Sequence, residues 1–214
     1  MKNLKNFYNK LIFGDFFYFC FILQFLIISL PGYSYADNLE KSNEIVYQMM
    51  SKAKKHAIDY AATDPIEKSL KIKLLIKQYI NLNFMAKATT GSFWKMGTDI
   101  QKEKYKTALL DQIVDTVEDH LNTLSSLNYR TVDSEKRGKK LVYLRGKIED
   151  PKNIKPPVNL LWKLGKTNEG LFLILDLEIE GISLVSSHKA ETMSILRKNK
   201  GNFEILLKKH NKIK

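Results

Sequence analysis

From Asn38 onward, apolar residues recur at steps of three and four. Ile45, Val46, Met49, Met50, Ala53, Ala57 and Tyr60 fall on one stripe, which predicts an amphipathic helix. Thr63-Asp64-Pro65 then restarts a helix, with Asp64 as N-cap and Pro65 in the first position, where a missing N–H costs nothing. Ile66, Leu70, Leu74 and Leu75 carry the apolar side of that second helix. The stretch NLNFMAKATTGSFWKMG reads as a short helix ending near Gly97. Thr98 and Gln101 then form a capping box that opens the longest helix, from Asp99 to Leu124. Tyr105, Leu109, Ile113, Val117, Leu121 and Leu124 repeat along one of its faces, and Leu110 and Val114 widen it.

After Ser125 the period falls from 3.6 to 2. Tyr129 to Val132 is a short strand and Leu141 to Glu149 a longer one, with Val142, Leu144 and Ile148 alternating against Tyr143, Arg145 and Lys147. Pro151, Pro156 and Pro157 punctuate the turn that follows. Val158, Leu160, Trp162 and Leu164 alternate along the next strand, and Lys166 to Gly170 turns the chain back. Leu171 to Glu180 is the fourth strand, with Leu173, Leu175, Leu177 and Ile179 on one face. Helices from Ser183 to Asn199 and from Asn202 to His210 close the chain, with Gly201 between them. Helices, an antiparallel meander, then helices define an α+β domain. The pattern leaves two readings of its interior, a packed core or a cavity.

The first forty residues change the picture of where this domain works. Lys2, Lys5 and Lys10 precede an almost wholly apolar run, Phe16 to Leu30. Pro31-Gly32 then breaks the helix, and Ser34-Tyr35-Ala36 places small residues before Asp37. This order is that of a cleaved secretory signal peptide over residues 1–36, with an uncleaved anchor as the rival reading. Residues 37–214 form the single exported domain. The only cysteine, Cys20, leaves with the leader, which excludes zinc–cysteine sites and cysteine nucleophiles from the rest. The chain carries 35 Lys+Arg against 23 Asp+Glu; without the leader 32 and 22 remain, a net +10. In a cytoplasmic protein this charge would point first to nucleic acid, and the expected export argues against that. The charge reads as a solvated basic surface, or as attraction to anionic headgroups or an acidic partner.

Catalytic patterns are scarce. His56, His120, His188 and His210 stand in separate helical stretches without metal-ligand spacing, and Asp119 and His120, adjacent on a helix, point in different directions. Ser186-Ser187-His188 lacks a nucleophile elbow and an orienting acid, and capping explains its serines more simply. Asp176, Glu178 and Glu180 alternate before Gly181 and would share one strand face. They could bind a hard cation, but a half-buried strand yields the same pattern with its acids in water, and that is the expectation here.

Three separated stretches carry a family resemblance. Met85-Ala86-Lys87 with Gly91, Trp94, Thr98, Gln101 and Tyr105 forms the first. Glu149-Asp150-Pro151 with Pro156-Pro157-Val158 forms the second, and Asp176-Leu177-Glu178-Ile179-Glu180-Gly181-Ile182-Ser183, followed by a helix with Glu191, forms the third. In this order and register they resemble the MlaC (toluene-tolerance auxiliary) family of periplasmic phospholipid-binding proteins, over roughly Ile45 to Leu207. The chain departs from that pattern at Lys87, where arginine is usual, at Thr90, where leucine is usual, and at Thr192, where an aromatic is common.

The resemblance implies an NTF2-like or cystatin-like cone. N-terminal helices, a four-stranded antiparallel twisted sheet and C-terminal helices would enclose an apolar lipid pocket. It also implies a non-enzymatic carrier without cofactors, whose cargo is a phospholipid. The carrier would pass between an outer-membrane lipoprotein complex and an inner-membrane MCE-domain/ABC transporter, maintaining outer-membrane lipid asymmetry. On this basis Val142, Leu144, Leu160, Trp162, Leu173, Leu175 and Leu177 are the expected pocket floor, and Ile113, Val114, Val117 and Leu121 its walls. The alternatives are a hopanoid-associated relative, an exported adaptor with a filled core, and an enzyme on a similar fold.

Overall fold

The computed structural model describes residues 33–59, 64–152 and 154–210; side chains of residues 33–37 and 120–125 lie outside that set. The leader expected over residues 1–36 falls almost wholly outside the described residues. Residues 39–214 make one compact unit. The helices begin where capping chemistry placed them at Asp64, Thr98 and Ser183, whereas the first begins at Tyr33, ahead of the expected Asn38. Helix α1 runs Tyr33–Asp59 and α2 runs Pro65–Tyr79. The carboxylate of Asp64 accepts from the backbone N–H groups of Ile66 and Glu67 at 3.0 and 3.2 Å, satisfying two otherwise orphaned donors. Helix α3 (Leu82–Thr90) is capped by Asn81 and passes into a 3-10 turn over Gly91–Met96. Gly91 takes φ +56°, and a Cβ there would meet the sulfur of Met193 at 3.3 Å. Helix α4 (Asp99–Ser125) opens with the reciprocal pair foreseen for Thr98 and Gln101, at 3.0 and 3.2 Å.

Five strands follow: β1 (Asn128–Arg137), β2 (Leu141–Glu149), β3 (Val158–Lys166), β4 (Phe172–Ile179) and β5 (Ile182–Ser183). They pair antiparallel in chain order, one strand more than expected. The extra strand exists because Glu180 and Gly181, both at positive φ, make a two-residue turn, after which Ile182 and Ser183 pair back on β4. Helices α5 (Leu184–Lys198) and α6 (Phe203–His210) complete the fold. The joint between α2 and α3 is tied to the sheet where the Asn81 N–H donates to the Ile174 carbonyl at 2.9 Å.

Two expectations about faces are corrected. Helix α2 buries Ile72, Leu75, Ile76 and Tyr79, while Ile66, Leu70 and Leu74 face solvent. Both stripes are apolar, and a helix lying on a core can bury only one. On β4 the register slips at Lys163/Leu164: Lys163 faces Asp176, whereas Leu164 faces Ile174, leaving Leu175 as the extra residue of a β-bulge. Leu173 and Leu175 therefore lie on the opposite face from Leu177. Leu173 pairs with Gly165, and Leu175 lies over the same glycine, where a Cβ would meet it at 2.7 Å. Phe172 and Ile174 take the inner positions before the bulge, and Leu177 takes one after it.

Candidate functional site: an apolar layer between sheet and helices

The inner face of the sheet is built by Val142 and Leu144 from β2, Leu160, Trp162 and Leu164 from β3, and Phe172 and Ile174 from β4, all buried. Register brings them together: Leu144 stands opposite Trp162, and Trp162 opposite Leu177. Val46 of α1 and Leu75 and Tyr79 of α2 close over this face, with Ile45, Met49, Met50 and Ala53 half-buried around them. Methionines suit such a seam, since an unbranched thioether can repack around a changing neighbour.

The expected walls stand elsewhere. Ile113, Val114 and Val117 of α4 pack in a separate cluster with Ala57, Ile72, Ile76 and Leu110, between helices. The Leu121 side chain lies outside the described residues. Of the expected floor, Val142, Leu144, Leu160, Trp162 and Leu177 share the layer, and Leu173 and Leu175 do not. Sequence reasoning missed Val46, Leu75, Tyr79 and Ile174 as partners of the sheet. The first three could have been found from the α1 stripe and from the second α2 stripe.

Two polar atoms are stranded in this layer. The Tyr79 hydroxyl and Trp162 Nε1 have no hydrogen-bond partner, although each residue is only 4% exposed. Leaving such a group unmet costs about 1–3 kcal/mol. Burial pushes the Tyr129 phenol up; its contacts with Thr131 and with the indole N–H of Trp162 act the other way, the latter without reaching hydrogen-bond geometry. Beside Tyr129 the layer opens to solvent through a cleft of about 260 Å³, lined by Tyr47, Met50, Ser51, Ala53, Lys54, Leu127, Asn128, Tyr129 and Ile148. Met50, Ala53, Tyr129 and Ile148 belong both to the cleft and to the rim of the layer. At its mouth the Lys54 ammonium donates to the Asn128 side-chain oxygen at 2.7 Å.

The three alternating acids do structural work instead of lining one wet edge. Asp176 is only 6% exposed. Its carboxylate accepts from the Ser183 hydroxyl at 2.7 Å, the Val185 N–H at 3.1 Å and the Lys163 ammonium at 3.0 Å, fastening β4 to the start of α5. Burial opposes the charge on Lys163, but the hydrogen bonds its ammonium donates to Glu178 and Asp176 outweigh it and hold its pKa above 10.5. Glu180 accepts from the side-chain amide of Asn159 on β3, tying the β4–β5 turn to that strand. Ser183 caps α5 through the Ser186 N–H, as expected of a serine-rich helix start. Among the described residues no group of three His, Cys, Asp or Glu could hold a metal ion.

A second polar cluster lies among α3, α4, α5 and α6. The Tyr105 hydroxyl meets Thr89 at 2.9 Å and Thr192 at 3.1 Å, which gives the unusual threonine at 192 a local purpose. Burial raises the Tyr105 pKa above its ordinary 10.0. His210 is buried, its Nδ1 2.6 Å from the Gln112 amide nitrogen and its Nε2 without a partner. Burial lowers the pKa of both His210 and His188 below 6.5. The unfolded chain therefore takes up protons first as pH falls through 6.5, and stability is lost from there down to the folded-state values. Urea denaturation is expected to show a midpoint steady above pH 7 and declining as pH falls below about 6.5, a decline flattened in His210→Gln.

Helices closing over a five-stranded antiparallel meander, with an apolar layer beneath them, define an α+β fold of the kind that can enclose a hydrophobic interior. The comparisons give that class a name. A sequence profile described as MlaC protein matches residues 37–212, and the chain belongs to the MlaC family. No curated protein matches it by sequence. Among solved structures it is similar to a phospholipid-binding protein from Ralstonia solanacearum in complex with a phospholipid, with a TM-score of 0.64 and 16% sequence identity. That similarity covers 81% of this chain and 94% of the other. Among the described residues no helix is long and apolar enough to cross a membrane.

Proposed function

We propose that this protein is a periplasmic phospholipid carrier, exported by a cleaved leader. It would shuttle lipid between an outer-membrane lipoprotein complex and an inner-membrane MCE-domain/ABC transporter, and so maintain outer-membrane lipid asymmetry. The observation that carries the reading is the buried layer itself: continuous, apolar, open at one cleft, and holding two unmet hydrogen-bond donors. Family membership and the phospholipid complex of the similar structure support it.

Each methylene removed from water contributes about 0.8 kcal/mol, so acyl chains need cover between two membranes, and a dry layer supplies it without chemistry. A cleft of about 260 Å³ falls below the roughly 300–1,000 Å³ of ordinary small-molecule sites. Loading therefore parts α1 from the sheet, Met49 and Met50 giving way as the acyl chains replace them. Val46, Leu75, Val142, Leu144, Leu160, Trp162 and Leu177 then line the chains. Ile113, Val114 and Val117 support the lining from behind. The headgroup stays at the cleft mouth, near Lys54, and the ester carbonyls meet the donors of Tyr79 and Trp162.

Tyr79→Phe removes one unmet donor and nothing else. The emptied variant is expected to be as stable as the parent or more stable by about 1 kcal/mol, while a fluorescent phospholipid leaves it roughly fivefold faster. Unchanged release together with lower stability would place the hydroxyl outside the cargo's reach. Failure of the emptied parent to take up labelled phospholipid would overturn the proposed function itself.

A further inference from the structure

The outward face of α2 runs against the usual pattern of a helix packed on a core. Ile66, Leu70 and Leu74, at i, i+4 and i+8, are 79%, 54% and 58% exposed. Single exposed aliphatics are ordinary, but three in line on one helix make a ridge. The surroundings of this ridge are basic. The helix carries Lys68, Lys71, Lys73 and Lys77 against a single acid, Glu67. By helical geometry Lys73 and Lys77 lie along one side of the ridge and Lys71 along the other. Lys71 meets Glu67 at 2.7 Å and Lys73 meets Asp111 at 2.6 Å, contacts between partly exposed groups that hold little energy against an external anion. Without the leader the chain is at net +10 (32 Lys+Arg against 22 Asp+Glu).

Aliphatic side chains bordered by lysines on one helix face are what a helix needs to lie in the plane of a bilayer. The chains dip below the headgroups and the ammonium groups stay among the phosphates. We propose that α2 docks this protein on anionic phospholipid bilayers through Ile66, Leu70 and Leu74, with Lys71, Lys73 and Lys77 reading the negative surface. Docking of this kind puts the carrier at the membrane where cargo is exchanged, yet it rests on α2 alone and stands apart from the cargo reading. It is weak by design: a short ridge without a lipid anchor binds reversibly, and salt weakens it.

The test is co-sedimentation of the chain, as recovered from cells, with extruded vesicles. One set is rich in phosphatidylglycerol and the other is pure phosphatidylcholine. The parent is expected to sediment with the anionic vesicles only, less so as salt rises. The triple variant Ile66→Gln/Leu70→Gln/Leu74→Gln, altered only at exposed positions, is expected to keep its melting temperature and its co-purifying lipid. Its binding to anionic vesicles should weaken on the order of tenfold or more. Equal vesicle binding by parent and variant overturns the proposal, as does a parent that ignores anionic vesicles. So does a ridge whose substitution abolishes a concentration-dependent dimer while vesicle binding persists. Loss of vesicle binding with cargo retained supports docking, whereas parent protein without cargo contradicts the carrier reading and leaves the docking result readable.

Discussion

Replacing Asp176 with alanine is expected to destabilise the protein by about 3–5 kcal/mol, enough to unfold a marginally stable domain at body temperature. The residue is 6% exposed and its carboxylate serves three donors on three segments. Truncation leaves the Val185 N–H without its acceptor at the first turn of α5, loosens the Ser183 cap and strips Lys163 of one of its two anions. Asp176→Asn keeps the shape and can still accept one bond, so it should fall between the parent and Asp176→Ala. Glu178→Gln, which removes a single contact to Lys163, should cost about 1 kcal/mol or less. Urea midpoints in that order support the Asp176 hub. An Asp176→Ala variant as stable as Glu178→Gln would mean that α5 is held by packing alone.

Leu144→Asp is expected to be at least as damaging. Leu144 is fully buried on the inner face of β2, opposite Trp162. A carboxylate there forfeits the burial of a leucine and must shed water with no donor supplied, a combined penalty above about 4 kcal/mol. Leu144→Ala is the variant that still folds: a loss of about 2–5 kcal/mol and lower phospholipid occupancy are expected. Leu161→Asn, one residue from Trp162 but on the other side of β3, should cost about 1 kcal/mol and leave occupancy unchanged. Denaturation and lipid extraction on the same preparations separate the two faces. Equal loss of lipid from both variants would contradict the assignment of the inner face as the lining.

The sequence was most legible where one local rule acts alone. Asp64-Pro65, Thr98/Gln101 and Ser183 each announced a helix start, and each cap is made. The change of period after Ser125 located β2, β3 and β4 closely, but β1 runs to Arg137, five residues past the expected Val132, through a bulge at Thr131/Asp133 that breaks its alternation. What failed was any inference that counted residues through an irregularity. One extra residue at Leu175 shifts the alternation of β4, so Leu173 and Leu177, which look equivalent in the sequence, stand on opposite sides of the sheet. Asp176 keeps the side opposite Leu177 that alternation gives it, but the start of α5 covers that side, so the charge sits beneath a helix and not at a wet edge. The two apolar stripes of α2 are equally convincing on paper, and only the tertiary fold decides which one is buried. Helix α4 carries the longest apolar face in the chain, yet its partners Ile72, Ile76 and Ala57 are helical, a pairing that periodicity alone does not specify. The family resemblance rests on residues with mechanical duties. Asp176 holds α5, Glu180-Gly181 makes the turn, Ser183 caps, and Gly91 turns the chain at Met193.

The central claim, that the layer between α1, α2 and the sheet holds a phospholipid, is tested most directly by native mass spectrometry of the protein purified from cells without detergent. A mass increment of one phospholipid is expected, released on denaturation and identified in the organic extract, with reduced occupancy in Leu144→Ala. A chain that flies at its bare polypeptide mass, and still does so after incubation with phospholipid vesicles, would contradict it.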